Sequence, residues 1–458
     1  MIKRYYATKD NTITNAYGAT LTTRGSDANM GASDILEVFS IYGQTQDSSG
    51  VYSSEEARII IEFDIEQIKQ DREAERVPEG SRYFLRLFNA KHGKTLPTLF
   101  DLEVVPLEEE WSEGVGLDME DYSDLTYGKG SSWNERTEGQ NWTTPGGHFP
   151  NGTPVLQTFY DGDEDLNIDV TDFVESWINQ PLENKGLIIK LPQSLLTTEL
   201  RSYYTKMFFA RGTSNFFKKP TLEARWNSQI ADNRTSFYSG ESNDIYFYNI
   251  FRNQLSSLTG PVTVSLYEEL GGTPLETQTA TEVETGIYKA TVNPTTSLET
   301  IYDVWSDNGV EIHSGSIEVL QRGYQTTPSI HNLVVSVLNK QSSHSTFGTS
   351  RFYFYIRDKD WSPNIYTVAT SRPNSKVYDT LHYKISKIST SETIFDYDLD
   401  NNSTLLSYDS NGNFFDLDIS MLQPNYDYEI RLALYDVLTK SYQELPFKHR
   451  FRVVDNEY

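Results

Sequence analysis

The chain contains no cysteine, which excludes disulfides, thiol catalysis and cysteine-ligated zinc. It also has no run of about 18 apolar residues, so no membrane-spanning helix is predicted. Basic residues are a minority, with 39 Lys and Arg against 65 Asp and Glu. The resulting formal charge of −26 opposes binding to nucleic acid or to anionic membranes. The composition therefore favours a protein partner, in particular one with a basic surface.

Sequence motifs of catalytic sites are absent as well. The seven histidines lie far apart, without a pair at metal-ligand spacing. Neither a Gly-x-Ser-x-Gly nucleophile turn nor a phosphate-binding Gly-x-x-x-x-Gly-Lys loop occurs. A run of three carboxylates beside an aromatic residue can form a sugar-hydrolysing site, and here Glu108, Glu109 and Glu110 precede Trp111. Adjacent residues of a strand alternate between its two faces, however, so this run is better explained as a solvated rim. We therefore predict a protein that is not an enzyme and has no cofactor.

Two acidic loops place carboxylates at alternate positions, as calcium-binding loops do. The first contains Asp161, Asp163 and Asp165, and the second contains Asp396, Asp398 and Asp400. Both lack the glycine and the terminal glutamate of a regular calcium loop. The first loop is the better candidate for a structural calcium site, and a charged β-turn is the alternative for both.

Most of the sequence alternates apolar and polar residues over short stretches that end at Gly, Asn, Asp or Pro. Val262–Tyr267 is a clear example. This pattern is typical of β-sandwiches. Helix is predicted only for residues 65–75 and for a turn at residues 172–177.

Residues 168–191 predict a packing unit made of a strand, a short helix and a buried strand. Thr171 or Asp172 is expected to cap the helix. Helical spacing places four apolar side chains on one face, namely Val170, Phe173, Val174 and Trp177. Trp177 is therefore predicted to be a core residue rather than a ligand-binding one.

Seven features of residues 1–227 follow the order of a known β-sandwich domain. They are a strand at 7–13, a small-residue loop at 29–32, a strand at 58–64, tryptophan loops at 110–114 and 132–133, the helix and then the strand of 168–191, and closing strands at 208–211 and 219–223. On these features the region resembles the DNRLRE-type domain, which is found in cell-surface and phage proteins. The resemblance implies a jelly-roll-like sandwich and no known activity.

The rest of the chain resembles the immunoglobulin-like repeats that structural proteins of large tailed phages join to such a domain. This resemblance depends on three short sequence segments, at residues 285–288, 303–305 and 357–363. A pattern of Leu422, Pro424 and Tyr428 resembles the tyrosine corner of fibronectin-type domains.

Polar stretches at residues 227–243 and 321–329 are interpreted as linkers. The predicted fold is all-β, with an N-terminal jelly-roll-like sandwich followed by two immunoglobulin-like β-sandwiches. The predicted domains are residues 1–227, 228–321 and 322–458.

The long loop at residues 114–154 is the sequence candidate for a binding surface. Its aromatic residues are Trp133, Trp142, Tyr122 and Tyr127. Such side chains are enriched at protein interfaces, and their faces also stack on sugar rings. Ordering a long loop costs conformational entropy unless something packs on it. Docking on a protein, binding of a sugar and packing on its own domain are the three interpretations.

The sequence thus predicts a non-enzymatic structural protein of a tailed-phage virion, in the neck, tail, baseplate or capsid decoration. It is expected to be made in the host cytoplasm and to dock, in multiple copies, on other virion proteins. The alternative is a carbohydrate-binding adhesin of a virus or bacterial surface, with a host-surface glycan as its ligand. The N-terminal residues have no apolar segment behind their basic side chains and do not resemble a secretory signal, which favours the virion.

Overall fold

The computed structural model describes residues 1–18, 20–46, 48–93, 96–117, 130–150, 152–179, 182–196, 201–320, 332–361 and 375–455. The chain divides into two compact units, which we call the N-terminal unit (Ile2–Trp226) and the C-terminal unit (Asn227–Tyr458). Both are built mainly of β-strands. None of the helices in the described ranges has the length and apolar character needed to cross a membrane.

The strands of the N-terminal unit are β1 (Ile2–Thr14), β2 (Ile35–Gln46), β3 (Tyr52–Phe63), β4 (Arg82–Leu87), β5 (Phe100–Pro106), β6 (Glu135–Thr137), β7 (Gln140–Asn141), β8 (Val155–Phe159), β9 (Leu166–Asp169), β10 (Leu187–Lys190), β11 (Ser202–Phe209) and β12 (Thr221–Arg225). Its helices are α1 (Ile65–Glu73), α2 (Thr171–Ile178) and α3 (Gln193–Leu196), with a 3-10 turn at Phe216–Lys218.

Strand β1 belongs to two sheets. Its first half pairs with β12, from Ile2 opposite Arg225 onward, in a sheet of order β1-β12-β4-β9. Its second half pairs with β3, in a sheet that also contains β2, β5, β8, β10 and β11. The register shifts between Ala7 and Lys9, where the strand passes from one sheet to the other. Residues of both sheets line one apolar core, so β1 joins the two layers of the sandwich.

Strand β3 shows why this unit has two cores. Ile59, Ile61 and Phe63 point into the space between the sheets. Ile60, on the opposite face, packs in a separate cluster with Ile188 of β10. Because both faces of the strand are covered, its sequence is a continuous apolar run instead of an alternating one.

The structure confirms both predicted helices. Helix α1 begins after Asp64, whose side chain accepts the Glu66 N–H. In α2 the N-cap is Val170 without a side-chain bond, so the expected cap by Thr171 or Asp172 is wrong. The Asp169 carboxylate, one residue earlier, accepts the Thr171 N–H at 3.0 Å instead.

Trp177 is confirmed as a core residue. Its side chain is 3% exposed and packs in the core with Val170 and Val174. Phe173, on the same helical face, is only partly buried.

The strands of the C-terminal unit are β13 (Phe237–Tyr238), β14 (Asn243–Tyr248), β15 (Ile250–Phe251), β16 (Gln254–Leu255), β17 (Val262–Tyr267), β18 (Pro274–Thr279), β19 (Thr281–Glu284), β20 (Ile287–Val292), β21 (Thr300–Asp307), β22 (Val310–Leu320), β23 (Leu333–Val337), β24 (Ser343–Ser345), β25 (Thr349–Asp358), β26 (Leu381–Lys387), β27 (Glu392–Phe395), β28 (Ser407–Asp409), β29 (Gly412–Asp418), β30 (Asp427–Asp436), β31 (Ser441–Glu444) and β32 (His449–Val454). It also contains 3-10 turns at Asn233–Thr235 and Ile419–Met421.

These strands form two sandwiches. The first consists of the sheets β13-β22-β21-β17-β18 and β14-β20-β19, which enclose a core around Trp305. The second consists of the sheets β23-β25-β29-β28 and β24-β32-β30-β26-β27, with β31 beside β30. Aromatic rings fill its interior, where Tyr383 stacks on Phe415 with centroids 4.0 Å apart. The predicted all-β sandwich fold is confirmed.

The tyrosine corner is also confirmed, because the fully buried Tyr428 donates its hydroxyl to the Gln423 carbonyl at 2.8 Å. Residues 227–243 are more ordered than a linker, since Phe237 is buried and β13 pairs in parallel with β22. The second expected linker, residues 321–329, lies outside the described residues. The division into three domains therefore stays a prediction.

Candidate functional site

The loop predicted to dock, residues 114–154, carries its tryptophans into the second core of the N-terminal unit. Trp133 and Trp142 are 8% and 4% exposed and pack against Ile60 and its neighbours on the outer face of the sheet. The Arg58 guanidinium lies over the Trp133 ring, 4.7 Å from its centroid. The expectation that these two rings offer contact area to a partner is therefore wrong.

The base of this loop is held by Asn29. The Asn29 amide donates to the carbonyls of Glu113 and Ser131, at 2.7 and 2.8 Å. A Cβ on Gly114 would lie 2.3 Å from the Asn29 Oδ1, and its φ of +82° also requires glycine. Packing within the domain thus offsets the entropy of ordering the described parts of the loop. Tyr122 and Tyr127 lie outside the described residues.

The first acidic loop is organised around an ammonium group rather than a metal ion. Lys206 is fully buried, and its Nζ donates to the Asn89 Oδ1 and to the Gly162 carbonyl, both at 2.8 Å. Burial lowers the pKa of Lys206 to about 8, against the opposing effect of the nearby carboxylates. The Asp165 carboxylate accepts the Asn89 N–H instead of facing a metal ion.

Asp161, Asp163 and Asp165 are therefore not brought together as calcium ligands, which corrects the calcium expectation. In the second loop, Asp398 accepts from Ser403 and Asn401, and Asp396 pairs with Lys384. Nowhere in the described part of the chain do three acidic or histidine side chains form a metal-binding group.

A short hairpin of the C-terminal unit presents apolar side chains to solvent. Ile250 and Phe251 of β15 are 64% and 62% exposed, and Leu255 of β16 is 42% exposed. Arg252 and Asn253 connect the strands with φ values of +51° and +61°, as a two-residue type I′ turn requires. Sequence reasoning missed this hairpin because Arg-Asn lacks the glycine that usually marks such turns.

The C-terminal unit also contains a cleft of about 640 Å³ between its two sandwiches. Its lining combines three consecutive aromatic residues of β14 with polar and charged groups, among them Asp232, Arg234, His313 and Asp409. Burial raises the pKa of Asp232 to about 7, although Arg234 opposes the shift. No sequence motif predicted this grouping, because its residues are spread over almost 180 positions and meet only through folding.

No family model and no curated protein sequence matches this chain. Among solved structures, the adhesin InvE of Yersinia pseudotuberculosis aligns with 47% of this chain at 14% identity, with a TM-score of 0.15. The alignment covers 56% of InvE, less than two thirds of that structure. The Escherichia coli adhesin FdeC aligns with 55% of this chain and 78% of its own, at 11% identity and a TM-score of 0.17. The I9–I11 tandem of titin aligns with 56% of this chain, and the alignment covers 81% of the titin fragment. The sequence identity is 9% and the TM-score is 0.14. Scores this low carry no argument about function.

Proposed function

We propose that this chain is a non-enzymatic structural component of a tailed-phage particle that docks on other virion proteins. The phage assignment comes from the sequence resemblance of residues 1–227 and of the repeats that follow. The docking role is supported most by the exposed hairpin of β15 and β16. Neighbouring large apolar side chains on a surface are typical of an interaction site.

The geometry of this hairpin suits a docking element. Its two-residue turn fixes the backbone, so little conformational entropy is lost when a partner binds. Transfer of an exposed Ile or Phe side chain into an apolar pocket is worth about 1.5–3 kcal/mol. Ile250 and Phe251 together can therefore supply much of the free energy of a weak contact, which many copies in a particle would multiply.

A second turn of the same unit has a similar character. Val437 and Leu438, between β30 and β31, are 67% and 92% exposed. The Asp436 carboxylate accepts the Leu438 N–H at 2.9 Å and holds this turn. With the β15–β16 hairpin and this turn, the unit has two separate exposed apolar sites, as a component that bridges two neighbouring virion proteins would need. The net charge of −26 favours basic partner surfaces, so docking should weaken with salt.

Incorporation into particles tests the proposal. The double variant Ile250→Ser, Phe251→Ser replaces both exposed apolar side chains of β15 and should leave folding intact. We expect its incorporation to fall strongly, measured by quantitative mass spectrometry of purified particles. The matched control is Val310→Ser, which changes another exposed apolar residue of the same unit, 67% exposed.

Binding to host-surface glycans is measured on the same proteins. Normal incorporation of the double variant would contradict docking through this hairpin. Absence of the wild-type chain from purified particles, together with binding to host glycans, would contradict the virion proposal and favour the adhesin.

A further inference from the structure

The cleft of the C-terminal unit contains an empty position at its edge where several polar groups meet. Gly315 of β22 lies directly opposite Asp303 of β21. A Cβ on Gly315 would lie 2.9 Å from the Asp303 Oδ1, 3.5 Å from the His313 Nε2 and 3.6 Å from the Arg234 Nη1. Because glycine has no side chain, an acceptor and two nitrogen-bearing groups surround the space above Gly315, which lies between the buried Asp303 and the exposed His313.

Only one of the two oxygens of the Asp303 carboxylate has partners within the described residues. Its Oδ2 accepts from the Trp305 Nε1 at 2.7 Å and pairs with the Arg234 Nη2 at 2.6 Å. Its Oδ1 is buried and has no hydrogen-bond partner within the described residues. Burying such an acceptor without a partner is costly, and folded proteins rarely leave one so. A ligand or a water molecule that donates to Oδ1 removes this cost.

The wall of the cleft beside this position is aromatic. Phe247 stacks on Trp305 with centroids 5.5 Å apart, and the His313 ring lies 5.9 Å from Phe247. Tyr248 also lines the cleft, and its buried hydroxyl has no partner within the described residues. The aromatic residues that line the cleft therefore lie next to fixed donors and acceptors, as they do in small-molecule sites.

The charges around the cleft select the class of ligand. The Arg234 guanidinium, which pairs with Asp232 and Asp303, opposes a cation. The carboxylates of Asp409 and Glu318, together with that of Asp303, oppose an anion. A neutral hydroxyl group suits both the carboxylates and the nitrogen donors, because it donates to a carboxylate oxygen and accepts from a guanidinium or imidazole nitrogen at the same time.

We infer that this cleft binds a neutral carbohydrate, with one sugar hydroxyl between Asp303, Arg234 and His313 and the ring against the aromatic wall. The inference rests on a site separate from the exposed hairpin and is independent of docking. It also places sugar recognition in the C-terminal unit, away from the tryptophan loop.

Saturation-transfer NMR on the full chain tests the inference. The probes are glucose, galactose, N-acetylglucosamine and glycerol, with methylammonium as a cationic probe. We expect transfer to the ring protons of at least one sugar. His313→Ala removes one hydrogen bond to the sugar, and Gly315→Ala fills the space above Gly315. Each should weaken binding of the sugar roughly tenfold.

The matched control is Glu311→Ala, an exposed residue of the same strand that does not line the cleft, and it should leave the affinity unchanged. His313 is itself exposed, so its truncation keeps the test valid even if Gly315→Ala lowers stability. Failure of all three sugars to bind at millimolar concentrations would overturn the inference, as would binding that neither cleft variant changes. Binding of methylammonium without any sugar would also overturn it, in favour of a cationic ligand.

Discussion

Truncation of Trp177 to alanine tests whether helix α2 is the packing element that the sequence indicates. A buried tryptophan removes about 150–250 Å² from water, which at about 25 cal/mol per Å² is worth about 4–6 kcal/mol. The retained Cβ and partial collapse of the cavity reduce this figure, and measured core truncations of this size cost about 3–5 kcal/mol. With Trp177 only 3% exposed, we expect a loss of about 4 kcal/mol in the N-terminal unit.

Hydrogen exchange with peptide-level mass spectrometry is the appropriate assay, because it reads the two compact units separately. Peptides covering α1 and β10 should lose protection in Trp177→Ala, while peptides from β26 and β30 should not change. Trp361→Ala, which removes a tryptophan that is 36% exposed in the C-terminal unit, is the matched control and should leave both sets unchanged. Unaltered protection of β10 in Trp177→Ala would refute the reasoning.

Two further predictions concern the C-terminal unit. Burial raises the pKa of Asp232 to about 7, so the folded state keeps a proton that the unfolded state releases near pH 4. The contribution of Asp232 to the stability of the unit therefore falls as pH rises from about 4 to 7. Urea unfolding across that range should show Asp232→Asn gaining stability relative to wild type as pH rises; a constant difference would contradict the shifted pKa. Tyr428→Phe loses the hydroxyl bond to Gln423 and should cost about 1 kcal/mol in urea unfolding. Tyr426→Phe, at a position 36% exposed, should cost nothing, and equal losses would count against the tyrosine corner.

The sequence predicted the elements whose signal is local. Alternation in Val262–Tyr267 and the apolar spacing around Trp177 each depend on a few neighbouring residues, and both elements formed as expected. The tyrosine corner of Tyr428 belongs to the same class, since its bond spans only five residues.

The failures concern partners distant in sequence. Trp133 and Trp142 have the composition of a binding loop, but the apolar outer face formed by Ile60 and Ile188 buries them. Lys206 enters the acidic loop at Gly162 from more than forty residues away, so the loop's own sequence could not reveal that it holds an ammonium group. The continuous apolar runs in β3 and β10 were the available signs that a second layer covers that sheet.

The cleft was unpredictable for the same reason. Gly315 gives no signal by itself, and its meaning comes from Asp303 across the strand pair and from Arg234, which precedes the first strand of its sandwich. A buried carboxylate oxygen without a partner is a property of three-dimensional packing and leaves no trace in composition or spacing.

The sharing of β1 between two sheets has a consequence for how the protein is made. Ile2 pairs with Arg225, so β1 leaves the ribosome well before its partner β12, which is synthesised more than two hundred residues later. Contacts of such high sequence separation slow folding, and until they form, the unpaired edges of β1 and β4 remain open to other chains. Synthesis that stops shortly before residue 221 therefore yields a product prone to aggregation, and the N-terminal unit reaches its final form only after β12 has been translated.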